Sequence, residues 1–528
     1  MSSPSTHESS SQALSSRQRL SLAVRRRQTI GIILGLTLAA LTFALFPAHA
    51  VDQVNAAAIA AGDEAAFTDT GLRTVAAAAV LLGLWWMTEA IPLAATALLP
   101  LVIFPAFQVA EFKEAAAPYA SDTIFLFMGG FMLALAMQRW NLHRRIALWV
   151  VLRVGTRPRL LILGFMIATG FLSMWVSNTA TAVLMLPIGT SVLGLVSSLL
   201  GGEKKIKRLS TALMLAIAYA ASIGSVGTII GTPPNALLVA YLSETHGIQI
   251  GFGKWMLIGV PLAIVLMGVA WWLLVYVLFR PEIDDIPGGR AAIEDEWREL
   301  GPMSKAEVRV GIVFVITAAS WVLVPLLLER TGSALNISDA QIAMSSAALL
   351  FLLPSDRAHG TRLLDWNTAK QLPWDVLLLF GGGLSLSHMF SQLGLSTWIG
   401  EQAKGLNVLP PVMLIAAVAL LVILLTELTS NTATAAAFLP IMGGVAIGVG
   451  LTEQTPANVL LLTAPVALAS TLAFMLPVAT PPNAVAYSSG YIQLGSMVKT
   501  GIWLNIISVI LVTLTVVGLA VPVFGLRL

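Results

Sequence analysis

Two short polar stretches hold most of the chemistry this chain could do. One reads VSNTATAVLMLP from Val176 to Pro187, the other TSNTATAAAFLP from Thr429 to Pro440. Ser and Thr hydroxyls both donate and accept hydrogen bonds, and the Asn amide offers two donors and an acceptor. Each stretch runs on into an apolar, helix-forming arm. A helix starting there presents free N–H groups and a positive dipole end, which suit an anion. Carbonyls released by the turn suit a hard cation such as Na⁺. A second pair of motifs, GTPPNA from Gly231 and ATPPNA from Ala479, repeats the idea. Adjacent prolines remove two N–H donors and break a helix, leaving bare carbonyls beside a Thr and an Asn. The plainer readings are packing through small polar side chains and, for the proline motifs alone, a simple kink. Repetition of both motifs at matching places favours binding.

The elements that hold these motifs follow from composition. The chain has 528 residues, 57% hydrophobic and 11% charged, with a mean hydropathy of +0.85. Soluble proteins carry about 25% charged residues, so this is an all-α polytopic membrane protein. The absence of cysteine excludes disulfides, thiol catalysis and Cys-based metal sites. The net charge of +3 reflects basic cytoplasmic loops rather than nucleic-acid binding. Residues 1–28, Ser-rich and ending in a basic cluster, read as a disordered cytoplasmic tail. A signal peptide cleaved after PAHA is the weaker reading, because the apolar run from Thr29 to Phe46 is long enough to span.

About eleven transmembrane helices are expected, near 29–48, 72–89, 91–107, 122–138, 209–243, 254–279, 309–328, 339–354, 373–391, 457–488 and 498–523. The basic tail lies inside. The loop 49–71, with Asp52, Asp63, Glu64 and Asp69 but no Lys or Arg before residue 73, lies outside. Four spans then return the chain inside at the strongly basic QRWNLHRRIALWVVLRVGTRPR. The stretch 160–199 starts and ends beside basic segments, so it reads as a hairpin entering and leaving on the inner face. Its tip is Ser177-Asn178-Thr179, with two short full spans as the rival reading. The stretch 409–448, flanked by GEQAKGLN and GLTEQTPAN, reads as a second hairpin opened from outside. The N-terminus is thus expected inside and the C-terminus outside.

The motifs are collinear copies. Ser177 and Ser430 are 253 residues apart, as are Asp122 and Asp375, and Gly129-Gly130 and Gly382-Gly383; Gly231 and Ala479 are 248 apart. The chain therefore reads as repeat 1 over 72–279, a cytoplasmic linker over 280–308 and repeat 2 over 309–523, preceded by a first span and loop over 29–71. Each repeat contains a hairpin and a broken helix, over 209–243 and 457–488. Five span steps separate 122–138 from 373–391. An odd number inverts one repeat against the other, as in secondary transporters with a site at the repeat interface near midplane.

No Lys or Arg falls well inside a span, so an anion's charge would be met by dipoles, hydroxyls, amides and co-bound cations. That favours cation-coupled symport. Glu89 and Glu427 are the carboxylates nearest the spans and are functional candidates. His388 reads as a satisfied structural imidazole. No His, Cys or acidic cluster supports a membrane-embedded enzyme; a channel would need unsaturable flux.

The paired SNT and TPPN motifs, with WMTEAIPL and WNLHRRIA, resemble the divalent anion–sodium symporters over about residues 70–525. The resemblance implies a homodimeric, elevator-type carrier in the plasma membrane, with a scaffold and a moving domain bearing both hairpins. It implies one Na⁺ site at Ser173, Ser177, Asn178 and Gly231, and another at Thr426, Thr429, Asn431 and Ala479. Substrate carboxylates would meet Ser177, Asn178, Thr179, Ser430, Asn431 and Thr432, with Thr232 and Thr480 nearby. The implied substrate is a C4-dicarboxylate such as succinate, fumarate or malate. Citrate, sulfate or an exchange mode are the near alternatives, and no organic cofactor is implied.

Overall fold

A computed structural model of the chain describes residues 5–60, 67–155, 157–200, 202–285, 289–331, 335, 337–356 and 360–528. Residues 1–4 of the tail, Asp63 and Glu64 of the acidic loop, and Arg357 lie outside these. Among the described residues the chain is helical apart from one antiparallel ribbon, Pro354–Asp356 with Thr361–Arg362. Nine of these helices are long and apolar enough to cross a membrane. A tenth is reached if Trp374–Gln392 and Leu395–Val408, bent by 72°, count as one span.

Three expectations change. The span near 91–107 is two short helices, Leu93–Thr96 and Pro100–Ala106. Pro100, in the middle of that stretch, withholds an N–H that one continuous helix would need. Residues 93–106 reach only about 21 Å at 1.5 Å per residue, against a hydrocarbon core of about 30 Å. The helix expected over 339–354 is Asp339–Leu352, likewise short. The first helix runs Ser5–Leu45, so helical backbone continues into the segment read as a disordered tail. Its Gln, Leu, Ala and Arg residues are good helix formers, and adding a turn to an existing helix needs no new nucleus.

The two repeats share helix boundaries. Asp122–Arg139 corresponds to Trp374–Gln392, and Pro158–Ser173 to Pro411–Thr426; Asn178–Leu200 and Asn431–Gly448 begin at equivalent residues. Each hairpin's first arm starts on proline, whose missing N–H is no loss in a first turn. Each ends where polar residues compete for the backbone. The broken helices are Lys207–Ser225 with Pro233–His246, and Leu460–Ser470 with Pro481–Ser488. Thr232 and Thr480 stand immediately before the proline pairs, in extended conformation.

Every residue from Leu209 to Ser225 is buried, so this helix is the centre of the fold. The repeats are interlaced around it. The second arm of the first hairpin packs on Pro481–Ser488 of repeat 2, and the second arm of the second hairpin packs on Pro233–His246 of repeat 1. The first hairpin also touches the central helix backbone to backbone: a Cβ on Gly224 would lie 2.2 Å from the Gly170 carbonyl oxygen. Gly224→Ala is therefore expected to cost about 1–3 kcal/mol by overpacking. Thermal unfolding in detergent would show this as a lowered Tm.

Candidate functional site

The tips of the two hairpins are built alike. In the first, buried Ser173 ends one arm and Asn178 opens the next. Ser173 Oγ lies 2.7 Å from Asn178 Oδ1 and 2.6 Å from the Ala221 carbonyl oxygen of the central helix. Asn178 Nδ2 donates to Ser225 Oγ at 3.1 Å, which fixes the amide with its oxygen toward Ser173. In the second, buried Thr426 Oγ1 lies 2.7 Å from Asn431 Oδ1 and 2.8 Å from the Ser470 carbonyl oxygen. A hydroxyl has one proton, so it cannot fully satisfy two oxygen acceptors at once. Each tip thus gathers three oxygens around a single proton, a donor set that suits a hard monovalent cation.

The remaining candidates are distributed around these clusters. Ser177 and Thr179 are exposed, and Ser177 Oγ accepts from the Ala180 N–H at 3.2 Å. Ser430, Asn431 and Thr432 are half-buried at the start of the second arm. Thr429 turns its hydroxyl back into its own hairpin, donating to the Leu425 carbonyl at 2.8 Å and lying 2.7 Å from Thr434 Oγ1. Gly231 and Ala479 are buried on the two unwound segments. A Cβ on Gly231 would lie 2.2 Å from the Ser225 carbonyl oxygen, so this place accepts only glycine, whereas its counterpart accepts alanine. Thr232 Oγ1 lies 3.2 Å from Thr471 Oγ1, where the two breaks meet. Thr480 Oγ1 accepts from the Asn483 N–H at 3.2 Å. Among the described residues no hydrogen bond joins Ser177-Asn178-Thr179 to Ser430-Asn431-Thr432.

Three further residues shape the site. Asn235 Nδ2 donates to the carbonyls of Val226 and Thr228 at 3.3 and 2.8 Å, and Asn483 Nδ2 to those of Ala473 and Leu476 at 3.1 and 3.2 Å. Each Asn thereby braces its unwound segment. The signal was present, since both stand last in a repeated TPPN motif. Glu427 is buried beside the second tip. Its carboxylate accepts the N–H groups of Phe474, Met475 and Leu476 at 2.7–3.1 Å and the Asn505 amide at 2.7 Å. The equivalent place in repeat 1 is Met174. Glu89, by contrast, is half-exposed and pairs with Arg27 at 2.5 Å. His388 Nε2 lies 3.9 Å from Glu114 Oε1.

No Lys or Arg occurs in 172–182, 226–236, 425–435 or 473–484. The tips and breaks therefore offer an anion hydroxyls, amides and helix N-termini, but no fixed positive charge.

The profile of a family described as "Sodium:sulfate symporter transmembrane region" matches residues 65–525, which include both tips and both breaks. The chain belongs to this family of divalent anion–sodium symporters. Within it, the chain is 42% identical over 503 residues to a protein of Staphylococcus saprophyticus named sodium-dependent dicarboxylate transporter SdcS. The match covers 94% of this chain and 92% of that one. A Staphylococcus aureus protein of the same name is 42% identical over 446 residues, covering 84% and 85%. Two solved structures share the fold. The Alcanivorax borkumensis YdaH transporter has a TM-score of 0.52 at 15% identity, covering 77% of this chain and 87% of its own. Neisseria gonorrhoeae MtrF has a TM-score of 0.53 at 13% identity, covering 81% and 85%.

Proposed function

We propose that the chain is a Na⁺-coupled symporter of C4-dicarboxylates such as succinate, fumarate and malate, working across the plasma membrane. The observation that carries this reading is the pair of three-oxygen clusters at equivalent hairpin tips, beside helix starts that lack any cationic side chain. One Na⁺ would sit with Ser173, Ser177, Asn178 and the Gly231 carbonyl. The other would sit with Thr426, Asn431 and the carbonyls of Thr429 and Ala479. The dicarboxylate would bridge Ser177, Asn178, Thr179 and Ser430, Asn431, Thr432, with Thr232 and Thr480 beside it.

Coupling follows from electrostatics. A dianion held only by dipoles and hydroxyls in a low-dielectric surround is poorly compensated. Na⁺ bound first supplies the missing positive charge beside the Asn side chains that both ligands share. Substrate binding without Na⁺ is then weak, which links the two fluxes. The names of the 42%-identical relatives support Na⁺ and a dicarboxylate as the pair. The inverted repeat supports alternating access, with both hairpins on a moving domain and the scaffold forming a homodimer.

Purified protein should gain thermal stability from succinate only when Na⁺ is present, by about 2.7 kcal/mol at a hundredfold excess over Kd. Reconstituted vesicles should take up labelled succinate with an inward Na⁺ gradient. Equal uptake in choline would refute the coupling. Competition by citrate or sulfate but not by succinate would replace the substrate.

A further inference from the structure

An open groove of about 780 Å³ lies between helix Leu142–Val154, the first arm of the first hairpin and the start of helix Lys305–Thr331. Among the described residues its lining is apolar throughout. Its walls include Ile146 and Trp149 on the first helix, Ile167 and Phe171 on the hairpin, and Ile312 and Val315 on the third helix. Trp149 and Val315 are 50% and 62% exposed, so the chain itself does not fill the groove.

The rim of the groove is basic. Residues 142, 146, 149 and 150 line it at helical spacing, and Arg153 continues the same stripe one turn on. Its guanidinium sits 5.2 Å over the Trp149 ring. Lys305 likewise precedes Val308 and Ile312 on the stripe of the third helix. The other arginines of helix Leu142–Val154 are matched: Arg144 pairs with Glu296, and Arg145 with Glu307 at 2.8 Å. Among the described residues Arg153 and Lys305 meet no carboxylate. An amphipathic helix with Trp and Arg at its edge is the sequence pattern of a membrane interface, and its basic character places it at the cytoplasmic leaflet.

We propose that this groove holds an acyl chain of an anionic phospholipid, with the phosphate against Arg153 at the Trp149 end. The apolar wall matches the chain, and the unmatched Arg153 matches the headgroup charge. A second copy of the protein would bring the same cations and leave them uncompensated. The lipid would lie between the first hairpin and a neighbouring span.

Native mass spectrometry of the full chain in detergent, titrated with phosphatidylglycerol or phosphatidylcholine, tests this. Wild type should retain phosphatidylglycerol about tenfold more strongly than phosphatidylcholine. Arg153→Gln, a change at an exposed side chain, should abolish that preference. Val315→Trp should fill the groove and lower retention of both lipids about tenfold, with Ile312→Trp used instead if the first variant aggregates. Wild-type retention in either the charge variant or the groove variant would overturn the proposal. So would a groove variant that changed only the oligomeric state, which would mark the face as a subunit interface.

Discussion

Alanine at Asn178 or at Asn431 should each lower Na⁺-driven dicarboxylate uptake about 10- to 100-fold, with the protein still folded. The range follows from removing one hydrogen-bonding partner of a charged ligand, about 1.5–3 kcal/mol. Either change also deletes one of only three oxygens in its cluster. In the first tip it frees Ser173 to donate wholly to the Ala221 carbonyl, and in the second it frees Thr426 to donate to that of Ser470. The loss should therefore include a steeper requirement for Na⁺, not only for substrate. Initial uptake rates at graded Na⁺ and graded succinate separate the two. Normal rates in either variant would show that the clusters are packing features and not a binding site.

Glu427→Ala should be the most damaging single change to stability. It leaves three backbone N–H groups and the Asn505 amide without their acceptor in a buried place. Each stranded donor costs about 1–3 kcal/mol, against a total stability that rarely exceeds about 15 kcal/mol. Glu427→Gln keeps one accepting oxygen but turns an NH₂ toward donors, so it should be intermediate. The order of Tm values, wild type above Gln above Ala, is the check. A Gln variant with wild-type Tm but altered Na⁺ dependence would instead assign the carboxylate to the cation.

What the sequence made legible, and what it did not, divides by the range of the interaction. The helix breaks were readable because each sits on proline or on Ser-Asn-Thr in an apolar background, and such residues act on the backbone within a few positions. The offset of 253 was readable because it is a property of order along the chain. Glu427 could be picked out as a carboxylate close to a span, but its burial and its partners could not. They are backbone N–H groups about 47 residues away, and a main chain carries no identity in the sequence. The inward turn of the Thr429 hydroxyl was hidden for a similar reason, since Thr434 competes for it only once the hairpin has formed. The misread span over 91–107 shows the opposite error. Hydropathy counts apolar side chains and is blind to the N–H group that Pro100 lacks. The Gly170–Gly224 contact is equally silent, because it is made by atoms that glycine shares with every residue.

The interlacing of the repeats bears on how the protein is made. The second arm of the first hairpin rests on Pro481–Ser488, and synthesis proceeds from the N-terminus. The first hairpin is therefore inserted long before its packing partner exists. Contacts between residues so far apart in sequence also slow folding. During that interval its polar tip must wait in an unfinished protein, exposed to lipid or to the insertion machinery. The second arm of the first hairpin gains this packing partner only when the chain has been made as far as Ser488.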